Sequence, residues 1–305
     1  MPWITPNVFK QNETESLLTL PRFDDGSSRV KFRHFVHFYR DVAVRENTDV
    51  QRLTFETMQL AANAAPEIPV SPIAVTFADD AKMVPPGFLQ TPHLDRVAPD
   101  VASFQHYRPL PLLFDIMDRA AEMQETPGDG EEFFIMTNSD IHFQPSFYRA
   151  AKEFLGLGYD VVTINRRTIF GDLASPLSHL MLAEHGEYHP GFDCFIFPAR
   201  MYPYFVKSRA ACGGGHPMRS LMFNLVAHAK RWLMLGYAHL TFHLGDSTYF
   251  SQPKFADYQT FNIGEAQSIL DTLAKDPEKA RLLVEFVRNH DRDYRAPEIP
   301  ANAMA

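Results

Sequence analysis

The first half of the chain alternates between short apolar runs, which are typical of strands, and longer segments whose apolar residues have helical spacing. Because strands that alternate with helices assemble into parallel sheets, this order predicts an α/β fold with a mostly parallel central sheet and helices on both faces. The predicted strands cover residues 31–40, 72–77, 132–137 and 159–165, and the predicted helices cover residues 51–65, 109–124 and 145–155.

The second half of the chain is less regular. A strand is predicted at residues 192–197, a helix at 217–235, a strand at 238–244, and one or two helices at 266–289. No linker is clear enough to divide residues 31–260, which we therefore expect to form one domain. Residues 1–30 are expected to form an N-terminal arm, and residues 261–305 a helical segment with a polar tail.

The composition argues against several classes of protein. Hydrophobic residues make up 45% of the 305 residues and charged residues 22%, as in an ordinary globular protein. The net charge of −8 gives no reason to expect nucleic acid as a partner. The chain has two cysteines, Cys194 and Cys212, so we expect no disulfide framework and a reducing, cytoplasmic location.

Membrane insertion is not expected either. Residues 1–10 lack the basic and apolar pattern of a signal peptide, and no apolar run approaches the ~18 residues of a membrane span. The sequence leaves open a peripheral contact with the inner face of a membrane.

Polar residues follow three of the predicted strands at the point where each strand ends. In a parallel sheet the carboxyl ends of the strands meet at one crevice, where ligands bind. We therefore expect these three clusters to line a single site. They are Asp79-Asp80, Asn138-Ser139-Asp140 and Asn165-Arg166-Arg167.

Asp140 follows the apolar strand at residues 132–137. A carboxylate in this position can hold a divalent cation that bridges two phosphates, because Mg²⁺ and Mn²⁺ prefer one or two carboxylates with phosphate oxygens and water. The alternative is a turn or a helix N-cap, which Asn, Ser and Asp all favour. The convergence of the strand ends favours the binding role.

The segment resembles the GT-A glycosyltransferases, which carry an Asp-x-Asp motif after a buried strand of a nucleotide-binding sheet. Asn138-Ser139-Asp140 occupies that place, with Asn138 where the family has its first acid. The resemblance extends over residues 30–250. Residues 159–165 look like the family's next strand, residues 191–197 like its acceptor-side strand, and His243 like its metal-binding histidine.

The resemblance implies a glycosyltransferase of the hexosyltransferase type. It would move a sugar from a nucleotide-diphosphate sugar to a hydroxyl of a glycan, a lipid-linked glycan or a protein. Residues 31–165 would form the nucleotide half and residues 166–260 an irregular acceptor half. Asp140 and His243 would hold Mn²⁺ or Mg²⁺. An inverting reaction needs a base for the acceptor hydroxyl, for which Asp193 is the first candidate and Asp246 the second.

Further residues are candidates for binding the nucleotide sugar. Arg166 and Arg167 could bind phosphate, or form a solvated basic pair on a loop. His216 follows three glycines before a predicted helix, where backbone N–H groups favour anions, although a flexible loop is as good an explanation. Asp79, Asp80 and Arg40 follow the first two strands, from which the family contacts the nucleoside; loop capping is the alternative for the two aspartates.

Two other functions remain open. A sugar nucleotidyltransferase uses a similar sheet, but its Gly-rich loop is missing, because Phe38-Tyr39-Arg40-Asp41 contains no glycine. A non-catalytic nucleotide-binding or scaffold module of degenerate transferase fold is favoured somewhat by Asn138. Residues 81–106 and 179–189 are expected to form loops that set acceptor specificity. A serine hydrolase and a dinucleotide-binding fold are not expected, since both glycine-containing motifs are absent.

Overall fold

The computed structural model describes residues 3–4, 30–39, 46–123, 130–170, 179–189, 191–245, 252–291 and 294–297. The strands are β1 (Trp3–Ile4), β2 (Val30–Phe38), β3 (Val70–Thr76), β4 (Leu89–Gln90), β5 (Glu131–Thr137), β6 (His142–Phe143), β7 (Val161–Ile164), β8 (Arg167–Ile169), β9 (Glu187–Tyr188), β10 (Cys194–Pro198), β11 (Trp232–Leu235) and β12 (Thr241–Leu244). The helices are α1 (Glu46–Ala64), α2 (Leu113–Glu122), α3 (Phe147–Gly156), α4 (His179–Ala183), α5 (Arg219–His228), α6 (Ala256–Leu273) and α7 (Pro277–His290). Short 3₁₀ turns complete these elements.

The central sheet has the strand order β1-β11-β7-β10-β5-β2-β3-β4 within the described residues. Every neighbouring pair is parallel except those of β10, which runs antiparallel to both β5 and β7. The predicted α/β class with a mostly parallel sheet is confirmed. A second sheet has the order β6-β12-β8-β9.

The central strands are buried on both faces, which explains their nearly continuous apolar sequences. On one face of β2, Phe32 and Phe38 pack with Phe55 of α1 and Tyr148 of α3. On the opposite face, the rings of Phe35, Phe134 and Phe197 from three neighbouring strands meet edge to face. The apolar pattern therefore predicts these strands well, because each strand presents large side chains in both directions.

The described chain divides into two compact units that interleave along the sequence. The first comprises residues 1–93, 122–200 and 230–246 and holds both sheets with α1, α3 and α4. The second comprises residues 94–121, 201–229 and 247–305, in which α5 packs against α6 and α7. The boundary predicted at residue 260 falls inside α6, and residues 5–29 of the predicted arm lie outside the described residues.

One predicted helix is wrong in its second half. Residues 217–235 were expected to be helical throughout, but α5 ends at His228 and Trp232–Leu235 forms strand β11 beside β7. The Asp160 carboxylate accepts hydrogen bonds from the backbone N–H groups of Lys230 (2.9 Å) and Arg231 (2.7 Å). This contact holds the turn between the helix and the strand, so the basic pair lies in the turn and forms no helical patch.

The predicted loop at residues 81–106 contains only short elements, which are β4 and brief 3₁₀ turns. The helical region predicted at 266–289 consists of α6 and α7, and Asp276 caps the N-terminus of α7 by accepting from Glu278 N and Lys279 N. Residues 179–189 form α4 and β9. In the part of the chain that the structure describes, no helix has the length and apolar content to cross a membrane.

Candidate functional site

The direction of β10 brings three polar segments to one edge of the central sheet. Cys194, the first residue of β10, lies opposite Thr137, the last residue of β5, and opposite Ile164, the last residue of β7. Asp193 therefore lies between Asn138-Ser139-Asp140 on one side and Asn165-Arg166 on the other. The sheet places at one edge the three groups that the sequence analysis assigned to metal, base and phosphate roles.

Asp140 faces His243, which reaches the same place from β12 of the second sheet. The distance from His243 Nε2 to Asp140 Oδ2 is 3.3 Å, and His243 Nδ1 lies 2.9 Å from the carbonyl oxygen of Gly245. A carbonyl oxygen only accepts, so Nδ1 carries the proton. Nε2 then faces the carboxylate either as the second N–H of an imidazolium or as a lone pair that needs a cation between the two atoms.

The Asp140 carboxyl is held in its charged form. Burial raises its pKa, but the hydrogen bond from His243 and the charges of His243 and Arg166 outweigh that effect and hold the pKa well below its ordinary value. The side chain is 26% exposed as a whole, while its Oδ1 atom is buried. Asp140 is therefore an anion with one oxygen on His243 and the other directed into the interior of the site.

Helix α1 supports the segment that carries Asp140. The Thr54 hydroxyl lies 2.8 Å from the carbonyl oxygen of Ser139, to which it can donate, and 3.2 Å from Nδ1 of His142. If the hydroxyl proton goes to Ser139, His142 Nδ1 must donate to Thr54, which leaves Nε2 as a lone pair. Burial, followed by the nearby charge of His243, lowers the pKa of His142 to about 3, so the ring is neutral at pH 7.

Arg166 and Asp193 form a buried ion pair. Arg166 Nη1 donates to Asp193 Oδ1 at 3.3 Å, and the two side chains are 9% and 7% exposed. A buried pair of this kind is strongly destabilised when one partner is removed, because the remaining charge stays in the interior. The pair places the Arg166 guanidinium beside the Asp140 carboxylate. It uses only Oδ1 of Asp193, so Oδ2 stays available for another contact.

Several polar atoms at this edge are buried without a hydrogen-bond partner among the described residues. They belong to four side chains, none more than 26% exposed: Asp140 Oδ1, His142 Nε2, Asn165 Oδ1 and Asp193 Oδ2. Buried polar atoms in folded proteins are almost always paired, because leaving one unpaired costs about 1–3 kcal/mol. Four such acceptor atoms at one sheet edge indicate a site for a polar ligand or a cation.

The pair Asp140 and His243 fits a divalent cation that takes its other ligands from phosphate and water. Two neighbouring ligands of an octahedral ion, each about 2.1 Å from it, lie about 3 Å apart, close to the observed separation of 3.3 Å. Across the described ranges, no group of three or more His, Cys, Asp or Glu side chains could hold a metal by itself. Asn138 lies beside this pair at the end of β5 and is half-buried.

Arg167 does not face this edge, since consecutive residues of an extended chain point in opposite directions. It belongs to β8, where its Nε donates to the carbonyl oxygen of His185 (2.8 Å) and its Nη2 to that of Gly186 (2.6 Å). Its contacts hold the turn before β9. The structure thus separates the two arginines that the sequence analysis treated as one phosphate-binding pair.

Two of the remaining candidates follow β3, whose carboxyl end lies at the same edge of the sheet as those of β2 and β5. Asp79 and Asp80 are in a 3₁₀ turn directly after β3, with Asp79 exposed. His216 is in the second compact unit and has a backbone φ of +61°. The glycines before it are held by Asn262, whose Nδ2 donates to the carbonyl oxygen of Gly215 (2.9 Å). Arg40 and Asp246 lie outside the described residues.

An aromatic group at the end of β2 was not predicted. The ring of His37 stacks on Tyr39 at 5.8 Å and meets Phe77 edge to face at the same distance. His37 Nδ1 donates to the carbonyl oxygen of Val75 (2.9 Å), which leaves Nε2 as a buried acceptor with no partner in the described part of the chain. Gln51 holds the backbone of Tyr39 through two hydrogen bonds.

No protein-family model and no curated protein sequence matches the chain. Among solved structures, it is similar to residues 1–349 of TarS from S. aureus in complex with UDP-GlcNAc, with a TM-score of 0.45 and 11% identity over 90% of this chain and 82% of that one. It is also similar to the galactosyltransferase LgtC in complex with donor and acceptor sugar analogues, with a TM-score of 0.37 and 6% identity over 78% and 96%.

A further similar structure is 4-diphosphocytidyl-2C-methyl-D-erythritol synthase from Anaerococcus prevotii, with a TM-score of 0.36 and 10% identity over 76% of this chain and 95% of that one. At these scores and identities, no residue role passes from these proteins to this chain.

Proposed function

We propose that this protein is a glycosyltransferase that moves a sugar from a nucleotide-diphosphate sugar to a hydroxyl acceptor. One observation carries the proposal: buried acceptor atoms without partners lie at the sheet edge where Asp140, His243, Arg166 and Asp193 converge. The two carboxylates can bind a metal ion and hydroxyl groups, and the guanidinium can bind phosphate oxygens. A sugar nucleotide that binds together with a metal ion presents all three kinds of group.

Asp140 and His243 are the proposed ligands of Mg²⁺ or Mn²⁺, which when bound would neutralise charge on the departing diphosphate. Asp140 suits this role because an aspartate is anionic at neutral pH and a carboxylate is a ligand that both ions prefer. His243 is oriented by its bond to the Gly245 carbonyl, which directs Nε2 towards Asp140. Arg166 provides a second, fixed positive charge for the phosphate oxygens.

Asp193 is the proposed base for the acceptor hydroxyl. Its Oδ1 is engaged by Arg166 at 3.3 Å, while Oδ2 is buried with no partner among the residues described. In an inverting reaction the bond from the anomeric carbon to the diphosphate oxygen breaks, the acceptor oxygen bonds to that carbon, and the acceptor proton passes to Oδ2. The nucleoside diphosphate leaves with the electron pair of the broken bond.

The aromatic group at the end of β2 is the proposed nucleobase site. His37 Nε2 is a buried acceptor, so it would pair with an N–H of the base. Tyr39 lies parallel to the His37 ring and offers a flat face for stacking. A base bound here would lie on the β2 and β3 side of Asp140, and the acceptor on the β10 and β7 side.

The reaction products test this function. Purified protein is incubated with Mn²⁺ and UDP- or GDP-sugars, and separately with nucleoside triphosphates and sugar 1-phosphates. We expect nucleoside diphosphate to be released from a sugar nucleotide and no pyrophosphate from a triphosphate. Asp193→Asn should lower sugar transfer at least 100-fold, with nucleotide binding retained. Asp95→Asn, whose side chain is 73% exposed, is the matched control and should be fully active.

Two outcomes would contradict the proposal. Pyrophosphate release from a triphosphate and a sugar 1-phosphate would identify a nucleotidyltransferase instead. Tight nucleotide binding without turnover of any sugar nucleotide, in the presence of a broad mixture of acceptors, would identify a binding module.

A further inference from the structure

Two exposed tyrosines stack on each other beside the proposed site. Tyr188 belongs to β9, and Tyr237 follows β11 by two residues. Their ring centroids are 4.9 Å apart with an interplanar angle of 28°, and their side chains are 46% and 60% exposed. Large aromatic rings are normally buried, so an exposed, ordered pair of them is a candidate binding surface.

Asn165 connects this pair to the site. It follows β7 directly, and its Nδ2 donates to the carbonyl oxygen of His189 (3.3 Å), the residue that follows Tyr188. Asn165 is only 3% exposed, yet its Oδ1 is buried and has no partner within the described ranges. A ligand hydroxyl that reached Asn165 Oδ1 would satisfy this atom and would lie next to the tyrosine rings.

We propose that Tyr188, Tyr237 and Asn165 form a subsite for a carbohydrate acceptor, a proposal that rests on the function proposed above. A pyranose ring presents an apolar face of C–H groups, which packs on an aromatic ring, and a rim of hydroxyls, which binds polar atoms such as Asn165 Oδ1. A nucleobase can make the same two kinds of contact, by stacking on the rings and by donating an N–H, so the position of the subsite in the strand order decides between the two ligands.

The strand order separates this subsite from the proposed nucleoside side. β11 and β7 lie on one side of β10, whereas β5, β2 and β3 lie on the other. β11 is two strand positions from β10, or about 10 Å at the usual strand spacing. Tyr237 would therefore contact a sugar unit beyond the one that reacts near Asp193, so the acceptor is an oligosaccharide rather than a single sugar.

Gly191 lies against the His189 ring and near the Asp193 carboxylate. A Cβ added at Gly191 would lie 2.6 Å from His189 Nε2, which requires the histidine ring to move, and 3.7 Å from Asp193 Oδ2. An acceptor that extends from the tyrosines to the proposed base would pass close to this glycine. Gly191→Ala would displace the ring of His189, which follows Tyr188 directly.

The test separates acceptor binding from donor binding. Protein saturated with a nucleoside diphosphate is applied to an array of defined oligosaccharides, and the tightest-binding oligosaccharide is then used as acceptor. Tyr237→Ala should raise the KM for that oligosaccharide about tenfold, with unchanged nucleotide Kd and unchanged hydrolysis of the sugar nucleotide. The methyl glycoside of its terminal sugar should be used equally well by wild type and variant.

Controls distinguish stacking from a general loss of structure. Tyr237→Phe retains the ring and should behave as wild type, and Tyr204→Ala removes a tyrosine that is 72% exposed in the second unit and should also have no effect. An unchanged KM in Tyr237→Ala, a weaker nucleotide Kd in that variant, or no oligosaccharide binding by a nucleotide-bound wild type would overturn the subsite. Failure of the wild type to bind any nucleotide would instead overturn the proposed function, and the subsite with it.

Discussion

Two buried histidines of β2 should make the protein sensitive to acid. His34 hydrogen bonds with the hydroxyls of Tyr148 (2.8 Å) and Thr137 (3.0 Å), and burial lowers its pKa from 6.5 to about 3. Burial also lowers the pKa of His37 to about 4, although its bond to the Val75 carbonyl opposes the shift. Both rings are therefore neutral in the folded protein over most of the acid range.

The effect on stability has a defined sign. Below pH 6.5 the two histidines bind protons in the unfolded chain but stay neutral in the folded protein. The free energy of unfolding therefore falls as the pH is lowered from 6.5 towards 4 for His37 and towards 3 for His34. Each pH unit costs about 1.4 kcal/mol per histidine. At pH 5.0 the loss is about 2 kcal/mol for each, or about 4 kcal/mol together, a large part of a typical stability.

Urea unfolding at pH 7.5 and pH 5.0, followed by circular dichroism, measures this loss. His34→Gln and His37→Gln should each reduce the difference between the two pH values by about 2 kcal/mol, whatever their stability at pH 7.5. His93→Gln changes an exposed histidine and should leave the difference unaltered. A free energy of unfolding that changes between pH 7.5 and pH 5.0 by the same amount in the two variants as in the wild type would show that the two rings are not buried in the neutral form. That result would contradict the packing described around β2.

Four further substitutions test local features of the fold by thermal or urea unfolding. Gly186→Ala should destabilise the protein by at least about 2 kcal/mol, because the φ of Gly186 is +56° and a Cβ there would collide with the Thr168 carbonyl oxygen. A Cβ added at Gly264 in α6 would meet nothing within 4 Å, so Gly264→Ala should stabilise the protein by about 0.5–1 kcal/mol. A loss of stability in Gly264→Ala would refute this expected difference between the two glycines. Asp276→Ala removes the N-cap of α7 and should cost about 1 kcal/mol, so an unchanged midpoint would show that the cap is not formed. Asp160→Ala frees the two N–H groups that hold the turn before β11 and should cost about 1 kcal/mol, whereas no loss would leave the end of α5 unexplained.

The parallel strands were predictable because their burial on both faces appears directly as an apolar run. The strand predicted at 132–137 is observed as Glu131–Thr137, and that at 159–165 as Val161–Ile164. The direction of β10 was not predictable in this way. An apolar run looks the same in a parallel and an antiparallel strand, and only its pairing with β5 and β7 sets the orientation.

The end of α5 depends on a contact that no local pattern contains. The carboxylate that holds the turn after α5 belongs to Asp160, 70 residues earlier in the chain than Lys230. The run Trp232–Leu235 continues the apolar character of the helix, so periodicity alone does not distinguish its strand from a further helical turn. Tertiary pairing with β7 decides the outcome.

The candidate site was predictable where it depends on strand ends. Asp140 and Arg166 follow two strands of one parallel sheet, and the structure brings both to the same edge, with Asp193 between them. Asn165 was predicted as part of a strand-end cluster, but His142 and Thr54 were missed, because their positions follow from contacts such as Thr54 to Ser139 across 85 residues. The role of Asp140 as a metal ligand and of Asp193 as a base remain predictions.

We expect a nucleoside diphosphate to bind at the edge formed by Asp140, His243 and Arg166. Isothermal titration calorimetry of UDP and of GDP into the protein, with and without Mn²⁺, measures this binding. One nucleotide should bind more tightly with Mn²⁺, and Asp140→Ala should abolish that gain while Asp95→Ala retains it. No binding of either nucleotide by the wild type, or the same Mn²⁺-dependent affinity in Asp140→Ala, would show that the diphosphate does not bind there.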